Sequence, residues 1–296
     1  TELKAVTAEN RIFTDEPMKK HTTFRVGGPA DILVQPKGTE LAAVIRLCRK
    51  YDVPYQVIGN GSNLLVGDRG IRGLVIEMLS KEDEICVEDD CITVGAGMLL
   101  SKTANRAAEH GLTGMEFAAG IPGSIGGAVV MNAGAYGGEM KDILTAVTVL
   151  DQEGNEKILS AEELELGYRT SCILKKGYIV TGAKIKLKHG EETAIRARME
   201  ELKKQRVEKQ PLEYPSAGST FKRPEGYFAG KLIMGAGLRG YLVGEAQVSE
   251  KHCGFVINRG NATAADVRTL MQNVADIVEE KFGVRLEPEV KMIGEF

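Results

Sequence analysis

Two glycine-rich stretches have the clearest chemical potential in the chain, at 59–67 (GNGSNLLVG) and at 120–127 (GIPGSIGG). Each can present several backbone N–H groups in a short loop, and such groups bind phosphate. Neither stretch fits the P-loop or the dinucleotide fingerprint, and alone each is also compatible with an ordinary turn or helix start. Neither contains a lysine, so N–H dipoles and a helix start would have to balance an anion. Together the two loops could close on one pyrophosphate.

The elements around these loops are predicted from hydrophobic periodicity and from turn and cap residues. We predict strands at 31–36, 53–59, 73–79, 143–150, 178–188, 241–248, 254–258 and 284–293, a hairpin at 85–94, helices at 39–51, 99–110, 191–210 and 264–282, and a helical centre within 121–138. Because these elements alternate without a regular βαβ rhythm, α+β is the expected class. We place the main domain boundary within the helix at 191–210.

Composition and charge restrict the classes of function. The 296 residues include 43% hydrophobic and 27% charged residues, and the net charge is −3. The absence of a basic surplus disfavours nucleic acid as a partner. The first twenty residues lack the apolar core of a signal peptide, and no stretch approaches membrane-spanning length. Five scattered cysteines without a CxxC pair suit a reducing compartment. We therefore expect a cytoplasmic protein, as a monomer, that binds small molecules.

Several familiar motifs are incomplete. GAGLRG at 235–240 satisfies GxGxxG, but it follows a predicted helix and precedes a predicted strand, which reverses the dinucleotide-binding order. We interpret it as a helix C-terminus followed by a turn. No serine lies in a GxSxG elbow, and the four histidines lack the spacing of metal ligands. These observations disfavour hydrolase, kinase and metalloenzyme functions, and we predict no metal site.

Seven segments in one order resemble those of a known enzyme family: TFRVGGPAD, GNGSNLLV, GIPGSIGGA, NAGAYG, GYRTS, PSAGSTFKRP and LEPEVKMIG. From Thr22 to Gly294 the chain is similar to the UDP-N-acetylenolpyruvoylglucosamine reductase family, within the FAD-binding superfamily of vanillyl-alcohol oxidase. The resemblance implies a two-part FAD-binding domain of that type, at 1–79 and 80–205, and a smaller α+β substrate-binding domain at 206–296. The last strand would pack back on the FAD domain.

The resemblance also implies the cofactors and the reaction. FAD would be non-covalent and NADPH would be the co-substrate, visiting the same pocket as the sugar nucleotide in turn. Hydride would reach C3 of UDP-N-acetylglucosamine enolpyruvate and a proton C2, giving UDP-N-acetylmuramate for peptidoglycan. The implied cofactor-binding residues are Asn60, Gly61, Ser62, Asn63, Leu64, Gly120, Ile121, Gly123, Ser124, Gly126, Gly127, Ala133 and Gly134.

Three residues match the catalytic positions of the family. Arg169 of GYRTS would be the cation for the charge that develops at C2 and in the carboxylate, to which a planar guanidinium is suited. Glu289 of LEPEV would donate a hydrogen bond, provided that its pKa is raised enough to keep it protonated. Ser219 of PSAGSTF would give the proton to C2.

Further positions are expected to bind the substrate. Lys209 is the candidate for the diphosphate, and His252 for a further polar contact. Arg223 lies in FKRP where many family members have asparagine. No insertion separates Tyr168 from Lys209, so the chain resembles the shorter subtype, and the tyrosine contact of the longer subtype is not expected.

Two other functions remain compatible with parts of the sequence. A related FAD oxidase or dehydrogenase of another alcohol or sugar would share the FAD motifs, but it has no reason to carry PSAGSTF and LEPEV. A non-catalytic module that binds nucleotide sugars needs no flavin, so a colourless protein would favour it.

Overall fold

The computed structural model describes residues 2–79 and 85–296. Its α-helices are α1 (Leu3–Val6), α2 (Glu40–Lys50), α3 (Leu100–Glu109), α4 (Ile125–Met131), α5 (Cys172–Lys176), α6 (Glu192–Lys209), α7 (Ala229–Gly235) and α8 (Ala264–Phe282). The predicted limit between 1–79 and 80–205 adjoins residues 80–84, which lie outside the described residues. A search of the described helices found none with the length and apolar character needed to span a bilayer.

The strands are short and numerous. They are β1 (Ile12–Pro17), β2 (Pro29–Val34), β3 (Tyr55–Ile58), β4 (Leu64–Val66), β5 (Ile71–Glu77), β6 (Ile85–Glu88), β7 (Cys91–Gly95), β8 (Leu112–Thr113), β9 (Gly134–Ala135), β10 (Gly138–Glu139), β11 (Leu144–Leu150), β12 (Glu156–Ser160), β13 (Ile179–Lys186), β14 (Lys188–His189), β15 (Leu242–Val243), β16 (Ala246–Val248), β17 (Val256–Asn258) and β18 (Lys291–Ile293). Four strands form a sheet in the order β1-β2-β5-β3, and five form an antiparallel sheet in the order β12-β11-β13-β7-β6. This mixture of helices and strands confirms the α+β class.

The chain divides into two compact units. Unit 1 comprises Thr1–Phe13, Leu33–Asn60 and Leu74–Arg206. Its core lies against the five-stranded sheet, where strand residues such as Ile92 and Val147 are fully buried. Helices α3 and α4 contribute to the same core, because their alanine, isoleucine and valine side chains lie on one face.

Unit 2 comprises Thr14–Ile32, Gly61–Gly73 and Val207–Phe296. Its core forms along α8, which buries a regular apolar stripe as its sequence predicts. Thr263 and Asp266 form a capping box at the start of α8, and Asp68 accepts the N–H groups of Ala264 and Ala265 at 2.7 and 2.8 Å. The segment that follows the first glycine loop is thereby fixed to α8. The division at 1–79, 80–205 and 206–296 stays a prediction.

Two predicted strands are wrong in extent. The segment 241–248 is a hairpin of β15 and β16, because Gly244 takes φ +54° and reverses the chain. The segment 284–293 is a strand only at Lys291–Ile293, and before it only Pro288 makes an isolated bridge. The interpretation of GAGLRG is confirmed, since α7 ends at Gly235 and Gly237 follows with φ +83°.

Candidate active site

In unit 1 the end of the first glycine loop contacts the second. The Nδ2 atom of Asn60 donates to the carbonyl of Pro122 at 2.6 Å. A Cβ atom at Gly59 would lie only 2.0 Å from the Oγ atom of Ser124, so any other residue there would force the Ser124 side chain to move. The two loops are therefore in contact at this end of GNGSN, while their closure on one pyrophosphate stays a prediction.

The second loop leads into α4, and several of its backbone N–H groups make no hydrogen bond within the described residues. Within the described residues, the N–H groups of Gly123, Ser124 and Gly127 have no acceptor. The N–H of Ile125 donates to Met98, at 2.8 Å. Three such donors within five residues around a helix start are the arrangement that was predicted to bind an anion.

Gly126 contributes differently from the other glycines of this loop. Its N–H donates to the carbonyl of Ala96 at 2.7 Å, and a Cβ atom there would lie 3.1 Å from the Cβ of Ala96. The residue permits close packing of α4 on the segment after β7. Gly126 therefore stays a predicted cofactor-binding residue, but its N–H is not an available donor.

Asn132, at the C-cap of α4, fixes the turn that carries Arg169. Its side chain is fully buried, and its Nδ2 donates to Glu139 at 2.8 Å and to the carbonyl of Gly167 at 3.1 Å. Its Oδ1 accepts the N–H of Lys141 at 2.9 Å. The backbone of Asn132 is left-handed, with φ +43°, as is common for asparagine after a helix. One buried amide thus joins GYRTS to the segment that contains Ala133 and Gly134.

Arg169 lies at the corner of a tight turn. Gly167 and Thr170 exchange two backbone hydrogen bonds, at 3.1 and 3.3 Å, and Arg169 between them has φ +55°. Ser171, the next residue along, donates to the carbonyl of Val130 at 2.8 Å and caps α5. A non-glycine residue with left-handed backbone is strained and persists only where its surroundings fix it. Arg169 is half-buried as a whole residue, and its guanidinium carbon lies 5.2 Å from the centroid of the Tyr168 ring.

In unit 2 the predicted proton donor and the predicted carboxyl group lie on paired segments. The carbonyl of Thr220 accepts the N–H of Glu289 at 2.8 Å, and the N–H of Lys222 donates to the carbonyl of Glu287 at 2.8 Å. The two segments run antiparallel through a bridge between Phe221 and Pro288. Ser219, which is exposed, directly precedes Thr220, so the structure brings Ser219 to the neighbourhood of the half-buried Glu289.

The second half of GNGSN, which includes Gly61 and Asn63, lies in unit 2, and Asn63 contacts the Glu289 segment. Asn63 donates through Nδ2 to the carbonyl of Glu289 at 3.1 Å, and its own carbonyl accepts the N–H of Lys291 at 2.9 Å. These bonds continue as the parallel pairing of β4 with β18. Gly61 has φ +60°, and a Cβ atom there would lie 2.0 Å from the carbonyl oxygen of His21. The glycine and asparagine therefore have structural roles in addition to their predicted cofactor contacts.

His252 is held near Ser219 through the backbone of Gly254. The ring Nδ1 accepts the N–H of Gly254 at 3.1 Å, and the carbonyl of Gly254 accepts the N–H of Thr220 at 2.9 Å. The ring also packs edge-on against Phe255, with centroids 5.0 Å apart. Burial lowers the pKa of His252 below its ordinary value, so the ring is neutral near pH 7 and can offer its Nε2 proton.

The other two predicted substrate-binding residues are cations on the surface. Lys209 is the last residue of α6 and is exposed. Arg223 is exposed four residues after Ser219, with its guanidinium 4.0 Å from the centroid of Phe228 and its Nε donating to the carbonyl of Tyr227 at 3.4 Å. Both positions are accessible to an anionic ligand.

A comparison with known proteins identifies the family. A protein of Agathobacter rectalis named UDP-N-acetylenolpyruvoylglucosamine reductase is 59% identical over 297 residues, which cover 96% of this chain and 95% of the relative. The chain belongs to the UDP-N-acetylenolpyruvoylglucosamine reductase family. A relative of the same name from Lachnoclostridium phytofermentans is 57% identical, with 99% of this chain and 96% of the relative covered.

Family models and a crystal structure agree with this membership. Residues 210–293 match the C-terminal domain of UDP-N-acetylenolpyruvoylglucosamine reductase, and residues 30–160 match an FAD binding domain. The crystal structure of the reductase from Thermus caldophilus has a TM-score of 0.80 and 41% identity, with 93% of this chain and 97% of that chain covered. Among the three functions that the sequence left open, these comparisons favour the reductase.

Sequence reasoning missed Asn132 as a functional residue of this reductase family member. NAGAYG was recognised as part of the resemblance, but its asparagine was given no role. Asparagine directly after an apolar helix predicts a left-handed C-cap, and that signal could have found the residue. The contact of its side chain with Gly167 joins segments 35 positions apart in the chain, which no local pattern predicts.

Proposed function

We propose that this protein catalyses the NADPH-dependent, FAD-mediated reduction of UDP-N-acetylglucosamine enolpyruvate to UDP-N-acetylmuramate, a step in peptidoglycan precursor synthesis. The observation that carries the proposal is the antiparallel pairing of the Ser219 segment with the Glu289 segment in unit 2. A hydroxyl and a carboxyl group fixed beside each other are what protonation at carbon, next to a developing anion, requires.

The residues in unit 1 fit FAD. A pyrophosphate needs several N–H donors and little side-chain bulk. The N–H groups of Gly123, Ser124 and Gly127, which have no acceptor among the described residues, meet both conditions. No cysteine or histidine lies in either glycine loop, so we expect the cofactor to be held non-covalently. When bound, FAD would supply the hydride carrier between NADPH and the enolpyruvyl double bond.

Arg169 is proposed to bind the substrate carboxylate. Addition of hydride at C3 leaves negative charge at C2, and this charge is delocalised into the neighbouring carboxylate. A guanidinium fixed where the charge develops lowers the barrier by about a few kcal/mol, because its positive charge and N–H donors are already in place and need no reorganisation during the reaction. The constrained turn around Arg169 provides that fixed position.

Ser219 and Glu289 are proposed to complete the reaction at C2. Glu289 donates a hydrogen bond to the enolic system, and Ser219 delivers the proton that forms the new C–H bond at C2. The serine oxygen then regains its proton from water. A serine is a weak acid in water, but a carbanion-like centre is a strong base and needs only a positioned O–H group.

The other substrate contacts, the oligomeric state and the cellular location are also proposals. Lys209 would bind the diphosphate part of the substrate and Arg223 would make a further substrate contact, since both are exposed cations. His252 would donate from Nε2, because its Nδ1 already accepts a hydrogen bond. We further propose that the enzyme acts as a monomer in the cytoplasm, which analytical ultracentrifugation and cell fractionation would test.

Product formation tests the proposed function. The purified protein, NADPH and UDP-N-acetylglucosamine enolpyruvate should yield a product heavier by two hydrogen atoms, with one NADPH consumed for each product. UDP-N-acetylglucosamine without the enolpyruvyl group is the matched control and should leave NADPH unconsumed. Consumption with the control, or none with the enolpyruvyl substrate, would refute the proposal.

A further inference from the structure

Arg206 lies on the buried face of α6 although the rest of that helix is strongly charged. Ile195 and Leu202 are 4% and 6% exposed, and Met199 packs against the core of unit 1. Arg206 follows Leu202 by four positions and therefore continues the same stripe. An arginine occupies the place where the pattern calls for an apolar residue.

The guanidinium of Arg206 packs against the start of the second glycine loop. A Cβ atom at Gly120 would lie 3.2 Å from Nη1 and 3.3 Å from Cδ of Arg206, so the absence of a side chain at Gly120 lets the arginine approach closely. The phenol of Tyr136 is near enough to interact electrostatically with the same guanidinium. Arg206 thus faces the two segments, GIPGSIGG and NAGAYG, that carry predicted cofactor-binding residues.

Arg206 has no acidic partner in the part of the chain that the structure describes. Among residues 2–79 and 85–296, no carboxylate lies within ion-pair distance of Arg206, and burial lowers its pKa below the ordinary value. Other arginines of α6 are paired: Arg196 contacts Glu192 at 2.7 Å and Arg198 contacts Glu201 at 2.6 Å. A desolvated cation without a partner is costly, so its presence beside a ligand loop indicates that a ligand supplies the anion.

We propose that Arg206 is a cofactor-binding residue that neutralises negative charge on bound FAD beside Gly120. The inference rests on the proposed function, because it takes FAD as the occupant of the loop. Neither glycine loop contains a lysine, so the loops themselves provide no cation for an anionic ligand. Arg206 would supply that cation. The charge belongs either to the diphosphate, which is always anionic, or to the isoalloxazine ring, which gains negative charge when it takes up electrons.

Arg206→Met tests the proposal, since methionine keeps the length and helix propensity and removes the charge. Arg206→Gln serves as a second neutral variant if the methionine protein does not fold, and Arg206→Lys keeps the charge. Arg196→Met is the matched control, because it removes a paired arginine from the exposed side of the same helix. The measurements are FAD release on dilution of the flavoprotein, followed by flavin fluorescence, and the two-electron midpoint potential.

A diphosphate contact predicts that the neutral variants release FAD with a Kd at least tenfold higher, at an unchanged potential. A ring contact predicts a nearly unchanged Kd and a potential lower by about 30 mV for each tenfold loss of preference for the reduced ring. In either case Arg206→Lys should recover most of the effect. The inference is overturned if the folded neutral variants have the same Kd for FAD and the same midpoint potential as Arg196→Met. A higher KM for NADPH in those variants would not rescue it, because the proposal concerns FAD. A wild-type protein that purifies without flavin would refute the proposed function and this inference with it.

Discussion

Ser219 offers an exposed hydroxyl one residue before the backbone bond that joins Thr220 to Glu289. Because we assign it the proton transfer to C2, we expect Ser219→Ala to leave reduction of the bound flavin by NADPH unchanged. Reoxidation by the enolpyruvyl sugar nucleotide should be slower by at least 100-fold. Stopped-flow absorbance of the flavin measures both half-reactions separately.

Ser216→Ala is the control for that variant, since Ser216 lies on the same segment and contributes its backbone carbonyl to the bond from Thr23. It should behave like the wild type in both half-reactions. If Ser219→Ala also reoxidises at the wild-type rate, the assignment of the proton donor is wrong.

Arg169 differs from a simple surface cation because its backbone is constrained at φ +55°. Arg169→Lys keeps the charge but loses the planar fork, so we expect reoxidation by the sugar nucleotide to slow by about 100-fold. The flavin content of the purified variant should equal that of the wild type. A variant that purifies without flavin would instead give Arg169 a structural role.

At the scale of elements, Asn132 connects the end of α4 to the Arg169 turn through a buried side chain. Asn132→Gly keeps the left-handed backbone accessible and removes the side-chain bonds. We expect the free energy of unfolding to fall by about 2 kcal/mol, since buried carbonyl and amide groups lose their partners. Urea denaturation of the flavoprotein measures this change.

The same variant separates a structural role from a positioning role. If Asn132 positions Arg169, reoxidation by the sugar nucleotide slows while reduction by NADPH does not. Equal slowing of both half-reactions would contradict positioning, and unchanged stability would contradict the role of the buried hydrogen bonds.

The carboxylate of Glu40, at the start of α2, should stabilise unit 1 to an extent that depends on pH. The guanidinium of Arg11 bonds both oxygens of Glu40 at 2.7 Å and, with the N–H of Lys37 and the hydroxyl of Thr7, lowers the pKa of Glu40 to about 2. A depressed pKa means that the ionised group stabilises the fold above its unfolded value, 4.5, and loses this effect as the pH falls towards 2.

Thermal unfolding of Glu40→Gln as a function of pH tests this linkage. The variant should melt below the wild type at pH 6, and the difference should shrink between pH 4.5 and pH 2. Glu109→Gln is the control, because its exposed pair with Arg106 should contribute little at any pH. A difference for Glu40→Gln that stays constant across this range would contradict the linkage.

The sequence predicted elements well where the periodicity was long and the termini had clear signals. Helix α8 is an example, with its apolar stripe, its Thr263 cap and Gly283 at its end. The segment 241–248 failed because its strands have two and three residues, too few for alternation to separate a hairpin from one strand. Arg206 was missed because α6 is charged on most sides, and only its tertiary contact with Gly120 distinguishes it.

At the scale of the whole molecule, residue patterns and family resemblance contributed different parts of the account. Glycine chemistry alone indicated that the two loops could close on one pyrophosphate, and in unit 1 the contact between Asn60 and Pro122 holds them together as that prediction requires. The roles of Arg169, Ser219 and Glu289 came from the resemblance, since an arginine, a serine and a glutamate have no distinctive local pattern. The hydrogen bond from Gly126 to Ala96 was unpredictable, because it depends on long-range packing.

The absorbance spectrum of the pure protein tests the central claim most directly. We expect a yellow protein whose visible flavin band disappears on addition of stoichiometric NADPH under anaerobic conditions. The band should return on addition of UDP-N-acetylglucosamine enolpyruvate, and it should not return with UDP-N-acetylglucosamine. A colourless protein, or a bleached band that the enolpyruvyl sugar nucleotide leaves unchanged, would contradict the account.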